Sequence, residues 1–172
     1  GRAVTAGAFA TLAARLAAGD RTISVTGLRG AALAATLVRL FRAGHGPFVC
    51  VTSDEDRADA LASDLTFFLG KGAPATPSVL RLPADEQLPY DALSPDRHIP
   101  FERLATLFHL SQGTRAAALV LSAPAVSRRV LTPAELDAHS ELVGVEQELD
   151  RDALAAKLRS EEHTSELQSR GL

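Results

Sequence analysis

Gly27 and Gly30 lie in a segment that has the outline of a phosphate-binding loop. The β-branched run 22–26 predicts a strand before them, and residues 31–43 predict a helix after them. In such a unit the helix N-terminus holds phosphate, while a lysine and a Ser/Thr hydroxyl reach phosphate and magnesium. Alanine and leucine stand here where that Gly-Lys-Ser/Thr ending would be, and Arg29 is the one charge nearby. We therefore interpret the segment as a degenerate phosphate loop; a working nucleotide-binding P-loop domain is the alternative.

A second group of residues that could do chemistry is an acidic cluster in a proline-rich segment around Tyr90. The cluster could be a polar platform for a partner, or a set of solvated loop carboxylates with the Tyr90 ring packed under a turn. We expect Arg103, on the helix that follows, to pair with one of these carboxylates as a structural clamp. The carboxylates are Asp85, Glu86, Asp91 and Asp96.

Composition and charge argue against several classes of function. A net charge of −3 and a pI near 6.0 give no basic stripe, so we do not expect this chain to bind DNA by itself. The single cysteine, Cys50, excludes a disulfide framework, and the isolated histidines predict no metal site. No apolar stretch reaches about 18 residues and no signal peptide is evident, so we expect a cytoplasmic protein without a membrane span.

Strands alternating with helices must position these residues. This alternation predicts an α/β fold, with a parallel sheet covered by helices on both faces. Ser53 or Asp54 is expected to cap the helix after the second strand. The predicted strands cover 22–26, 48–52, 78–82 and 116–122, and further helices cover 5–18, 101–110 and 123–129.

The sequence LRLPADEQLPYDALSP at positions 80–95, followed by an Arg-led helix, resembles a segment of the transcription-repair-coupling factors. The loop from Gly27 to Gly30 is similar to the same family. The resemblance implies a UvrB-like, P-loop-NTPase-like fold with a degenerate phosphate loop. The motif residues that carry it are Leu88, Pro89, Tyr90, Asp91, Ser94, Pro95 and Arg103.

The same resemblance implies a function. Members of the family are long ATP-dependent DNA translocases that push stalled RNA polymerase off damaged DNA and bring in nucleotide excision repair. Their motor domains, with ATP and magnesium, lie far C-terminal to this region. The UvrB-like region is implied to lack catalytic activity and cofactors, and to act as a docking and autoinhibitory module for UvrA and for other domains of the same chain. RNA polymerase and DNA would be bound by other regions.

Two alternatives stay open. The excision-repair helicase UvrB resembles this family in the same region, but it keeps an intact phosphate loop and a tyrosine-rich hairpin. This chain has a single tyrosine, Tyr90, and no Gly-Lys-Ser/Thr sequence, which favours the coupling factor. The other alternative is an interaction domain unrelated to repair.

The chain is expected to divide into three parts. Residues 1–133 would form a UvrB-like scaffold subdomain, and residues 134–158 would begin a second, UvrA-facing subdomain that is cut short. From position 159 the composition shifts abruptly to Ser, Glu, Thr, His and Gln. This segment, RSEEHTSELQSRGL, resembles a translated sequencing adapter, so we interpret residues 159–172 as a non-native tail without chemistry of its own.

Overall fold

A computed structural model of the protein describes residues 6–70, 77–84, 98–138, 150 and 152. Three parallel strands form one sheet in the order β1-β3-β2, so the parallel α/β fold is confirmed. The elements, in chain order, are α1 (Ala6–Ala17), α2 (Ala32–Arg42), β1 (Phe48–Thr52), α3 (Glu55–Leu69), β2 (Ser78–Leu82), α4 (His98–Ser111), β3 (Ala116–Ser122), α5 (Ala123–Val126) and α6 (Pro133–Ala138).

The central strand β3 supplies apolar side chains to both faces of the sheet. Ala118 and Val120 join the core formed with α2 and α3, whereas Leu119 and Leu121 join the core that includes Leu107 of α4. Successive side chains of a strand point to opposite faces, so helices lie on both sides of β3. Burying one such leucine contributes about 1.5–3 kcal/mol to stability.

Helix α3 begins where the sequence predicts, because Asp54 caps it. The Asp54 carboxylate accepts a hydrogen bond from the Arg57 N–H at 2.9 Å. Ala58, Leu61 and Leu65 follow at helical spacing and are all buried. The cap and this apolar stripe place the start of α3 beside the carboxyl end of β1.

The strand predicted over 22–26 is wrong. These residues have no regular secondary structure, and all of them except Ile23 are exposed. Ile23 and its neighbours lie beside Leu12 of α1 instead of joining the sheet. β-Branched residues favour a strand only where a neighbouring strand can pair with them, and none of the described strands does so here.

Three other elements differ from the sequence predictions. Helix α4 begins at His98, earlier than predicted. Pro100 is tolerated in its first turn, because an N–H at that position would have no intrahelical partner. Helix α5 is shorter than predicted and ends at Val126. Helix α6 was not predicted, although Thr132 and Glu135 form a capping box: Thr132 N–H donates to Glu135 Oε2 at 2.8 Å, and Glu135 N–H donates to Thr132 Oγ1 at 3.3 Å.

The expectation that helices cover both faces of the sheet holds for β3 but is wrong for β1. Val49 and Val51 are 68% and 58% exposed. Their registered partners on β3 are Leu119 and Leu121, on the side of the sheet where α4 packs. Among the described residues, α4 packs on β2 and leaves this part of β1 open.

The chain separates into two compact units, residues 1–138 and 139–172. Helix α6 packs on α4 within the first unit. The predicted subdomain boundary after residue 133 stays a prediction. No helix in the described part of the chain is long and apolar enough to cross a membrane.

Candidate functional site

The glycine loop lies immediately before α2. Gly27 and Gly30 have φ angles of 84° and 52°, which L side chains rarely adopt, and open space surrounds the Cβ position of each. The two glycines are therefore needed for the backbone conformation of the loop and not to make room for a neighbouring group. Ala31 precedes the helix without any side-chain cap hydrogen bond.

A cleft of about 490 Å³ separates this loop from the end of β1 and the first half of α3. Leu28, Leu33, Val51 and Leu61 give it apolar walls, and Gly30 lies at its edge. Its polar lining residues are Thr52, Ser53, Arg57 and Asp64. The cleft thus has the position of a phosphate site in an α/β protein, at the carboxyl end of a strand, but a largely apolar lining.

Charge next to the cleft disfavours a polyphosphate. The first turn of α3 carries Glu55 and Asp56 directly after Asp54, so negative charge already occupies this helix N-terminus. Arg57, the cation in the cleft lining, lies 3.6 Å from Asp54 Oδ2. The Ser53 hydroxyl and the Arg57 N–H, together with the Arg57 charge, lower the pKa of Asp54, which keeps that carboxylate ionised.

A second polar group joins the carboxyl ends of β2 and β3 to α3. Glu55 accepts hydrogen bonds from the Ser122 hydroxyl and, at 2.5 Å, from Arg81 Nη2. Arg81 also donates to Asp59 Oδ1 at 2.8 Å and, through Nη1, to the Leu82 carbonyl at 2.8 Å. The side chains of Arg81 and Glu55 are 16% and 22% exposed, so the pair is largely removed from solvent.

Neighbouring protein groups set the pKa of the Glu55 carboxyl. Burial alone would raise its pKa, but hydrogen bonds from Ser122, the Ala84 N–H and Arg81, together with the Arg81 charge, outweigh burial and lower it. Glu55 therefore stays ionised, and the cluster is a structural tie between three elements. Burial raises the pKa of the Cys50 thiol, as expected for a half-buried cysteine in an apolar strand.

Arg103 is buried near the end of β2, on α4. Its Nη1 donates to the Pro83 carbonyl, and Thr106, one turn later, donates to the Arg81 carbonyl at 2.6 Å. These two contacts fix α4 against the residues on either side of Leu82. The expected pairing of Arg103 with a carboxylate of the acidic cluster stays a prediction, because the four carboxylates lie outside the described residues.

The structure brings together only some of the predicted site residues. Gly30 lines the cleft at the end of β1, and Arg103 contacts the residue after β2. Because the strands are parallel, both positions lie at the same edge of the sheet, with β3 between them. The remaining motif residues lie outside the described residues: Leu88, Pro89, Tyr90, Asp91, Ser94 and Pro95.

Sequence reasoning missed the Glu55 cluster. Ser122 and Arg81 are 67 and 26 residues from Glu55 in sequence, so no local spacing reveals the contact. The available signals were a serine that closes a buried apolar strand and an arginine inside an otherwise apolar one. In the described part of the chain, no group of three His, Cys, Asp or Glu side chains is placed to hold a metal ion.

Comparison with known proteins gives two curated relatives. The chain is 53% identical over 151 residues, 87% of its length, to the transcription-repair-coupling factor of Myxococcus xanthus. It is 31% identical over 133 residues, 77% of its length, to the transcription-repair-coupling factor of Escherichia coli (strain K12). The chain spans 12% and 11% of the lengths of these proteins. No family model matches the chain, and no solved structure matches it.

Proposed function

We propose, from the premise that this chain belongs to the transcription-repair-coupling factor family, that it is a non-catalytic docking and autoinhibitory module of a longer ATP-dependent DNA translocase. That parent would couple stalled RNA polymerase to nucleotide excision repair. The observation that carries the proposal is the 53% identity over most of the chain to a protein of that name. The identity favours the coupling factor over UvrB, over a nucleotide-binding P-loop domain and over an unrelated interaction domain.

The geometry supports a module without catalysis of its own. The cleft beside Gly30 has apolar walls, and Asp54, Glu55 and Asp56 lie at the helix N-terminus next to it. Phosphoryl transfer depends on cations that neutralise the charge developing on phosphate oxygens. In this proposal the fold is a P-loop-like, UvrB-like scaffold whose loop has lost that chemistry, and ATP and magnesium belong to motor domains elsewhere in the parent.

The docking role concerns several partners. Residues 1–133 would form the scaffold, and residues 134–158 would begin the subdomain that faces UvrA. Other domains of the same polypeptide would rest on the scaffold and hold the motor inactive, whereas RNA polymerase and DNA would bind elsewhere in the parent. The motif residues 88–95 would take part in such a contact, whereas the buried Arg103 would hold the helix that follows them in place. A net charge of −3 agrees with protein partners more than with a DNA phosphate backbone.

Catalytic silence can be tested by titrating the 172-residue chain with a fluorescent ATP analogue in the presence of magnesium. We expect no saturable binding at micromolar concentrations, because alanines, and not a lysine and a hydroxyl residue, directly follow Gly30. The variant Arg29→Ala is the control, since it removes the charge in the loop. Saturable binding that Arg29→Ala abolishes would identify a nucleotide site and contradict the proposal.

Autoinhibition can be tested in the parent protein. Removal of residues 1–138, the unit that contains the sheet, should raise the DNA-independent ATPase rate of the parent, because the motor loses its restraint. Binding of purified UvrA to the intact parent is measured beside it. An ATPase rate that is the same with and without residues 1–138 would rule out the autoinhibitory role, and absence of UvrA binding would rule out the docking role.

A further inference from the structure

Strand β1 has an open side. Among the described residues it pairs with β3 alone, so one edge of its backbone has no strand beside it. On the α4 side of the sheet, Val49 and Val51 are 68% and 58% exposed, while their neighbours Leu119 and Leu121 on β3 pack into a core. The apolar layer on this side of the sheet therefore continues from β3 onto β1 without a cover.

The other edge strand, β2, is protected. Arg81 places a charge in it, the register with β3 shifts between Ser78 and Val79, and α4 packs against it. Charges, irregular pairing and a covering helix are the devices by which natural sheets protect their edges from further strands.

Strand β1 has neither a charge nor irregular pairing, and the core formed with α2 and α3 covers only its Phe48 and Cys50 face. Its sequence, FVCVT, has no charge and no proline, and its pairing with β3 is regular from Phe48 to Thr52. Strands that are apolar on both faces are typical of the interior of parallel sheets. By its side chains β1 is an interior strand, although it lies at the edge of this sheet.

An apolar cleft continues the open side of β1. Val51 lines it, together with Leu28 and the 39% exposed Leu33 of α2. A strand placed beside β1 would thus find an unpaired backbone edge, two exposed valines and an apolar recess next to them. Main-chain hydrogen bonds give affinity in such strand addition, and pockets for alternate side chains give specificity.

We propose that β1 is an interior strand in the parent protein: a β-strand from a part of the parent outside these 172 residues hydrogen-bonds to its open edge and covers Val49 and Val51. The inference rests on the premise of the proposed function that the chain is part of a longer coupling factor. Its named relatives are long enough to supply the strand, since the chain spans 12% of the Myxococcus protein. The occupant is an intramolecular one because interior-type apolar strands are built for permanent burial, not for transient contact.

The test compares one reporter position in two proteins. Val51→Cys is introduced in a Cys50→Ala background, both in the 172-residue chain and in the parent, and the rate of maleimide labelling is measured. Asp56→Cys, on the exposed side of α3, is the matched control in the same background. We expect Val51→Cys to react at least about tenfold more slowly in the parent than in the short chain, with Asp56→Cys little changed. Hydrogen exchange of the β1 peptide in both unsubstituted proteins gives the same comparison without any substitution.

Three outcomes would overturn the inference. Equal labelling of Val51→Cys in both proteins would mean that no strand from the parent covers β1. Slow labelling already in the short chain, at every concentration, would assign the cover to this chain's own residues. Slow labelling in the short chain that appears only as it dimerises, measured by light scattering, would assign the cover to a second copy. Protection of β1 in a parent whose ATPase is not restrained would keep this inference and reject the autoinhibitory role, so the two proposals fail separately.

Discussion

Arg81 Nη2 lies 2.5 Å from Glu55 Oε2, so the last residues of β2 are tied to the first turn of α3. The other carboxylate oxygen of Glu55 accepts from Ser122, at the end of β3. One side chain therefore fixes the carboxyl ends of two strands relative to the helix that borders the cleft. A charged network thus holds this edge of the sheet, next to the glycine loop that the sequence predicts to be a degenerate phosphate loop.

Glu55→Gln should destabilise the chain by about 1–3 kcal/mol, because it leaves the largely buried Arg81 guanidinium with less compensating charge. The loss is smaller than for a fully buried pair, since Asp59 still contacts Arg81 and both partners of the pair keep some exposure to solvent. The measurement is urea unfolding followed by circular dichroism. Asp56→Asn, on the exposed side of the same turn, is the control and should cost less. Equal unfolding midpoints for Glu55→Gln and wild type would show that the network does not stabilise the fold.

The contribution of Glu55 should disappear in acid. Its pKa is lowered in the folded protein from the usual value of 4.5, so the folded state binds the proton less tightly than the unfolded state does. The stabilisation is therefore complete above that value and is lost as the pH falls through the lowered folded pKa. Urea unfolding from about pH 7 to about pH 3 should show wild type and Glu55→Gln converging at the acidic end. A gap that stays constant over this range would mean that ionisation of Glu55 is not its source.

Ser122→Ala should destabilise the folded chain more than its small change in volume suggests. The buried hydroxyl donates to Glu55, and it also accepts from the Ala125 N–H at 3.2 Å as the cap of α5. Losing both contacts should cost about 1–3 kcal/mol. Ser127→Ala is the matched control, because that exposed hydroxyl bonds only to the Pro124 carbonyl among the described contacts. Comparable losses for the two variants in thermal unfolding would contradict the role given to Ser122.

Local sequence signals were sufficient where they coincide with tertiary packing. The strands at 48–52, 78–82 and 116–122 have the predicted bounds because their apolar runs are also the ones that pair in the sheet. The run at 22–26 has the same β-branched character but no described strand beside it, so its propensity alone did not make a strand. Strand propensity led to a strand only where a neighbouring strand was present to pair with it.

In the candidate site, too, some features can be predicted from local sequence and others depend on tertiary contacts. The glycine loop could be recognised from a short stretch of sequence, and Gly27 and Gly30 have positive φ angles. Its interpretation as a degenerate phosphate loop stays a prediction. The Glu55 network could not be recognised from local sequence, because its members come from three elements that only the folded sheet brings together. The open side of β1 was hidden for a different reason: its sequence predicts an interior strand, and only the strand order shows that β1 lies at an edge.

Helix α3 offers a direct test of which apolar side chains hold the first core together. Leu65 is 2% exposed and packs among α2, β3 and α3, whereas Phe67, two residues later, is 76% exposed. Leu65→Ala should therefore cost about 2–5 kcal/mol through lost burial and a residual cavity. Phe67→Ala should cost less than about 1 kcal/mol, since it mainly loses an edge-to-face contact with Phe68 at a centroid distance of 5.3 Å. Both are measured by urea unfolding of the 172-residue chain. A larger loss for Phe67→Ala than for Leu65→Ala would mean that Phe67 is buried in solution and that α3 packs in another orientation.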